Sequence, residues 1–323
     1  MRALALAALL GFTLLSPLVR ASDDWSDETR RLEVDARADG FEVRSERATG
    51  DVRDRIRLRL EGDNVRFRFE FQRDVGATEV DAELRVEIER VIEFQDLDAD
   101  GVFGGSDVVR AEYGPSDLTL GAVSPENVSA GGVPGLRVTA SYSFRDAPSS
   151  GLTFRVATFG NLTAFQGFVQ HPVEIKADIV FSDFPFLEPP EPDTLPGIVF
   201  RVVAASPTPP TVTADGVSID AGGLQATFRW KDTAVVDGNE TRVGVSVSEN
   251  PGQAGEQDLT VAFAYARGAD IVHDPTFGFL KLIEEAAGRI LGDMGLYALG
   301  AVAAVVTFGG LAWGRKVRKV KRE

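Results

Sequence analysis

The densest chemistry in the chain is Asp96-Leu97-Asp98-Ala99-Asp100-Gly101-Val102-Phe103-Gly104-Gly105-Ser106-Asp107. Three carboxylates stand at positions 1, 3 and 5, a glycine at 6 and a fourth carboxylate at 12. Acidic side chains at alternate positions of a tight loop converge on one hard cation, and glycine at 6 permits the sharp turn. The oxygen-only donor set points to Ca2+, with Asp96, Asp98, Asp100 and Asp107 as side-chain ligands. The Val102 carbonyl would serve as a backbone ligand. Gly104 at position 9 has no side chain, so water would fill that place.

This spacing resembles the twelve-residue calcium loop of EF-hand and dockerin proteins. The likeness covers the loop and names no family for the chain. It departs from the EF-hand in having Asp107 where a bidentate Glu is usual, as dockerin-type loops do. The flanks also read as strands, with Glu89 to Phe94 continuing an alternating run. The resemblance implies a structural ion bound in the ~10⁻⁴–10⁻³ M range of extracellular modules.

Other reactive patterns are fewer. Asn127-Val-Ser129, Asn161-Leu-Thr163 and Asn239-Glu-Thr241 are N-glycosylation acceptors by pattern, and they take three of the chain's five asparagines. His171 and His273 are the two histidines, far apart, and both read as turn or packing residues. No Gly-x-Ser-x-Gly, His-Glu-x-x-His or phosphate loop is present. No catalytic residue or organic cofactor is assigned. There is no cysteine, which excludes disulfides, thiolate zinc sites and thiol nucleophiles. A formal charge of −15 argues against nucleic acid as a partner, because phosphate affinity needs a basic surface.

These groups must be carried by strands. From Arg55 to Phe71, Ile56, Leu58 and Leu60 alternate with arginines, and Val65, Phe67, Phe69 and Phe71 alternate with Arg66, Arg68 and Glu70. Between them lies a Glu-Gly-Asp-Asn turn, so the run predicts a β-hairpin. A two-residue turn at Gly62-Asp63 would set Arg59 against Arg66 and Arg57 against Arg68. Like charges opposite one another destabilise a sheet. The arginines therefore form either an anion-binding patch or a charge ladder with an acidic strand, for which Glu79 to Glu89 is placed. Further short alternating runs, with Gly, Pro, Asn and Asp between them, predict an all-β fold of the β-sandwich type. Trp230 reads as core, with a sugar platform as its alternative.

The two ends set the compartment. Residues 1–21 are acid-free, with Arg2, an apolar stretch and a small-residue cleavage site, the build of a signal peptide. Gly295 to Trp313 is a run of 19 residues without a charge. At ~1.5 Å per residue it approaches the ~30 Å of a hydrocarbon core. Six basic residues follow, which places the tail on the cytoplasmic side. Setting both ends aside leaves 26 basic against 48 acidic side chains, an exterior of −22.

The expected organisation is a signal peptide at 1–21, a β-sandwich region at 22–184 with the calcium-type loop 96–107, and a proline-rich linker or loop at 185–196. A second β-sandwich region follows at 197–274, then a juxtamembrane amphipathic helix at 275–293, a transmembrane helix at 294–314 and a basic tail at 315–323. One large sandwich and two in tandem both satisfy this pattern. The expectation for function is a single-pass plasma-membrane protein with its ectodomain outside and its tail cytoplasmic. Its role would be structural, adhesive or one of recognition, with a glycan or another surface protein as partner. One alternative is a membrane-anchored carbohydrate-active enzyme on a β-sandwich. The other is a surface protein with a processed C-terminal sorting signal, against which no Leu-Pro-x-Thr-Gly precedes the helix.

Overall fold

A computed structural model describes residues 28–279, apart from 50, 51, 76, 77, 162, 166, 167, 171–173, 188–192, 222, 223 and 253. The expected signal peptide, transmembrane span and tail lie outside the described residues, as do His171 and most of the expected 275–293 helix. Among the described residues no helix is long and apolar enough to cross a membrane.

The described residues are almost all β. In order the strands are β1 (Glu28–Arg37), β2 (Gly40–Thr49), β3 (Val52–Glu61), β4 (Arg66–Val75), β5 (Thr78–Gln95), β6 (Val108–Tyr113), β7 (Leu118–Ala130) and β8 (Val133–Phe144). Next come β9 (Gly151–Phe159), β10 (Thr163–Phe165), β11 (Phe168–Gln170), β12 (Ile175–Ser182), β13 (Thr194–Ala205), β14 (Thr211–Thr213) and β15 (Gly216–Ala221). The last are β16 (Leu224–Arg229), β17 (Thr233–Val236), β18 (Asn239–Arg242), β19 (Gly244–Glu249), β20 (Glu256–Ala264), β21 (Ile271–His273) and β22 (Thr276–Phe279).

They form two large antiparallel sheets and one small hairpin. The 9-stranded sheet runs β1-β2-β3-β4-β5-β13-β20-β19, with β6 added to β5. The 11-stranded sheet runs β14-β15-β16-β22-β12-β21-β17-β18, with β9, β8 and β7 continuing from β12. The hairpin is β10-β11.

The two sheets face one another across one large apolar cluster, consistent with a β-sandwich. Phe67 on β4 meets Phe154 on β9 edge-on at 5.0 Å, and Phe200 on β13 meets Phe228 on β16 at 6.0 Å. Trp230 is core: it is 5 % exposed, packs on Phe263 and donates its indole N–H to the Ala214 carbonyl. Strands from both sides of the proline-rich stretch enter both sheets. β13 pairs with β5 in one, and β12 pairs with β21 and β22 in the other. In sequence the stretch lies between β12, in one sheet, and β13, in the other, and its last proline, Pro196, already stands in β13 opposite Glu93.

Two expectations are corrected. The first hairpin turns through four residues, because Val65 adopts a left-handed φ of 44° and buries its side chain completely. The register therefore pairs Glu61 with Arg66, Arg59 with Arg68 and Arg57 with Glu70. Within the hairpin Arg59 faces Arg68, and across the neighbouring strands Arg57 faces Arg44 and Arg68 faces Arg85, so the arginines rely on acids set opposite or diagonally to them. Arg57 reaches Glu70 at 3.1 Å, Arg68 reaches Glu83 at 2.7 Å and Arg66 reaches Glu87 at 2.7 Å. Glu42, 3 % exposed, takes Arg57, Arg59 and Arg44. Secondly, Thr276–Phe279 is strand rather than the first turn of a helix. Phe277 fits the helical spacing of the residues after it. Here it instead inserts between β16 and β12, pairing with Phe228 and Ile175 and stacking on Phe228 at 4.9 Å.

Candidate functional site

The acidic loop 96–107 joins β5 to β6. It brings together Asp96, Asp98 and Asp107, each with a carboxylate oxygen within 4.8 Å of the others. Three backbone donors shape it. Asp96 Oδ2 accepts from the Gly101 N–H at 2.8 Å, Asp107 Oδ2 from the Gly104 N–H at 2.7 Å, and Asp107 Oδ1 from the Leu97 N–H at 3.1 Å. Gly101 has φ +74°, a conformation that glycine adopts without a steric cost. Ala99 also lies in the left-handed region, at φ 59°.

Asp100 has a different part. Its Oδ1 caps the Val102 N–H at 2.7 Å, and it is not one of the three gathered carboxylates. Val102 follows directly, with its N–H committed to Asp100. The Ser106 hydroxyl donates to Asp98 Oδ2 at 2.8 Å and, as the largest cause, holds the Asp98 carboxyl below its ordinary value. A charged carboxylate is the form a cation needs.

The donor set fits a hard divalent ion. Asp96 Oδ1 is buried and accepts no hydrogen bond within the protein. A buried oxygen of that kind costs stability unless something pairs with it. Asp96, Asp98 and Asp107 would hold the ion, which would supply charge neutralisation and loop rigidity.

The loop is seated on distant strands. Gly244 on β19 lies against Gly101, and any Cβ there would overlap the Gly101 carbonyl. The Ser246 hydroxyl donates to the Phe103 carbonyl at 2.7 Å. The Phe103 ring packs edge-on against Phe94 at 5.1 Å, with the Arg90 guanidinium 5.8 Å from its centroid. Phe103 also covers a second, smaller apolar cluster of Ile92, Phe94, Val199, Ala262 and Ala264. That cluster exists because β5 changes face: its partner β13 shifts register between Val199 and Phe200. Ile88 thus enters the main core, while Ile92 and Phe94 enter the smaller one. Nothing local in the sequence marks Gly244 or Ser246 as supports of the loop, since both lie on a strand far along the chain.

The three sequon asparagines are exposed. Asn127 lies on β7, Asn161 just past β9, and Asn239 at the start of β18. His273 is fully buried on β21. Its Nε2 donates to the Lys231 carbonyl at 2.9 Å and its Nδ1 accepts from the Tyr265 hydroxyl at 3.2 Å. It is a packing residue of the neutral ring form, and burial lowers its pKa to about 4.

Compared with protein-family models and with curated proteins, the chain matches none.

Proposed function

We propose that the chain is a membrane-anchored cell-surface protein whose β-sandwich exterior is stabilised by Ca2+ and serves a structural, adhesive or recognition role. The observation that carries the calcium reading is the convergence of Asp96, Asp98 and Asp107 beside the unpaired Asp96 Oδ1. An ion held there locks the loop over the apolar cluster beneath Phe103, in a chain that has no disulfides to do so. The signal-like leader, the uncharged run 295–313 and the basic tail support the anchoring. The exposed sequons suit a glycosylated surface, and glycans or other surface proteins are the partners that surface would meet.

Limited proteolysis of intact cells carrying the full chain with a C-terminal tag tests both halves. External protease should remove the exterior and leave a tagged membrane fragment. Adding a calcium chelator should open new cleavage within 96–107. An exterior inaccessible from outside the cell overturns the anchoring. Cleavage indifferent to chelation overturns the role of calcium.

A further inference from the structure

A second cluster of reactive groups lies on the outward side of the 11-stranded sheet. On β12, Ile175, Ala177 and Ile179 enter the core, so Lys176 and Asp178 point the opposite way. Such side chains would ordinarily meet water, yet they are only 3 % and 7 % exposed. The Phe165 ring of the β10-β11 hairpin covers the amine, its centroid 5.6 Å from Nζ. The break between β21 and β22 places Asp274 alongside. Ile179 pairs with His273, and the Ala177 N–H donates to the Pro275 carbonyl at 3.0 Å. Lys176 Nζ lies 2.9 Å from Asp178 Oδ1 and 3.3 Å from Asp274 Oδ1. Lys231, more exposed, reaches Asp274 Oδ2 at 2.8 Å.

An amine, a carboxyl within its reach and a second carboxyl to move protons are the groups that amide condensation needs. The two carboxyls lie in different electrostatic surroundings. Burial, reinforced by the Asp274 charge, pushes the Asp178 carboxyl up against the opposing pull of Lys176. Burial would raise Asp274 as well, but Lys231 and Lys176 outweigh it and hold that carboxyl down. Of the two, Asp178 is the carboxyl whose surroundings favour the protonated form.

We propose that Lys176 and Asp274 condense into an intramolecular isopeptide bond, with Asp178 relaying the protons. Asp178 passes a proton from the ammonium to the Asp274 carboxylate. The freed Nζ lone pair attacks Asp274 Cγ and forms the C–N bond. One proton leaves the nitrogen through Asp178 to a departing Asp274 oxygen, the C–O bond breaks and one water leaves. Ammonium and carboxylate become amide and water, Asp178 ends as it began, and no oxidant or cofactor is consumed. The product replaces a buried ammonium and a partly buried carboxylate with a neutral amide, and a charge is costly to keep dry. It ties β12 to the β21–β22 segment covalently in a chain without cysteine. The inference is independent of the calcium reading.

Tryptic digestion and tandem mass spectrometry of the full chain decide it. The expected product is a branched peptide joining residues 176 and 274, lighter than its two linear parts by one water, with no cleavage after Lys176. Asp274→Ala should yield linear peptides only, and Asp178→Ala or Asp178→Asn should lose most or all of the branched species, with folding checked by circular dichroism. Linear peptides cut after Lys176 in the wild-type chain overturn the bond, and this result needs no variant to fold. A bond from Lys231, or an undiminished bond in a folded Asp178 variant, overturns the assignment of the residues.

Discussion

Gly244 on β19 and Gly101 in the acidic loop are packed backbone to backbone, so closely that a Cβ at 244 would stand 2.7 Å from the Gly101 carbonyl carbon. Two residues further along β19, Ser246 holds the Phe103 carbonyl across 143 positions of sequence. Gly244→Ala should therefore lift the loop from the sheet. Overpacking of this kind costs about 1–3 kcal/mol. A lower urea midpoint, together with a reduced response to calcium, is the expected result. An unchanged midpoint and response would show that the loop does not depend on this seat.

Calcium in excess should raise stability by mass action, by about 2.7 kcal/mol at a hundred times its dissociation constant. Asp98→Asn should remove that gain at a smaller cost in calcium-free buffer than Asp107→Asn, since the Ser106 hydroxyl can still donate to the amide oxygen. Asp107→Asn should remove it and also weaken the calcium-free loop, because Asp107 accepts from both Leu97 and Gly104. Asp100→Asn should leave more of the response, as Asp100 stands outside the gathered three. Thermal unfolding of the four proteins with and without calcium gives the ranking directly.

His273 sets an acid limit. Its folded pKa is lowered from 6.5 to about 4 by burial. Above pH 6.5 neither state binds this proton and stability is unaffected. As pH falls from 6.5 towards 4, the unfolded chain takes up a proton that the folded one refuses, so stability drops. The loss between pH 7 and pH 5 from this ring should be about 2 kcal/mol. Denaturant midpoints at the two pH values, compared with a folded His273→Phe variant in which the difference shrinks, provide the check.

Glu93 on β5 is 1 % exposed and accepts from the Leu187 N–H at 2.7 Å and the Thr194 hydroxyl at 2.5 Å. Arg267 reaches it at 3.4 Å. It thus joins β5 to both ends of the proline-rich crossing. Glu93→Ala should destabilise by about 1–3 kcal/mol, since it removes the buried acceptor shared by the Leu187 N–H and the Thr194 hydroxyl, while Arg267 keeps its contacts with Thr194 and Phe186. Glu93→Gln should cost less. Equal effects of the two, measured by chemical denaturation, would show that the charge itself is the essential element.

The alternating residues 55–71 were legible as a hairpin because one face of a sheet is buried and period-2 sequence records that directly. Its register was not legible. It depends on Val65 entering the core at a left-handed φ, a choice made by packing and not by turn residues. Phe277 shows the same limit: its spacing reads equally well as a helix face, and only the gap between β16 and β12 makes it a strand. The acidic loop was legible as a motif, since its spacing is local. The separate part of Asp100 was not, because it rests on one backbone hydrogen bond.

By itself, then, the sequence determined the strand-rich class, the acidic loop and the core character of Trp230, all of which follow from residue type and short-range spacing. Only the tertiary structure decided that Gly244 and Ser246 support the loop and that Phe103 covers a second apolar cluster. It alone brought Lys176 and Asp178 up to Asp274. Those contacts join residues scores of positions apart. Strand pairing between distant segments creates them, and no local pattern carries that information.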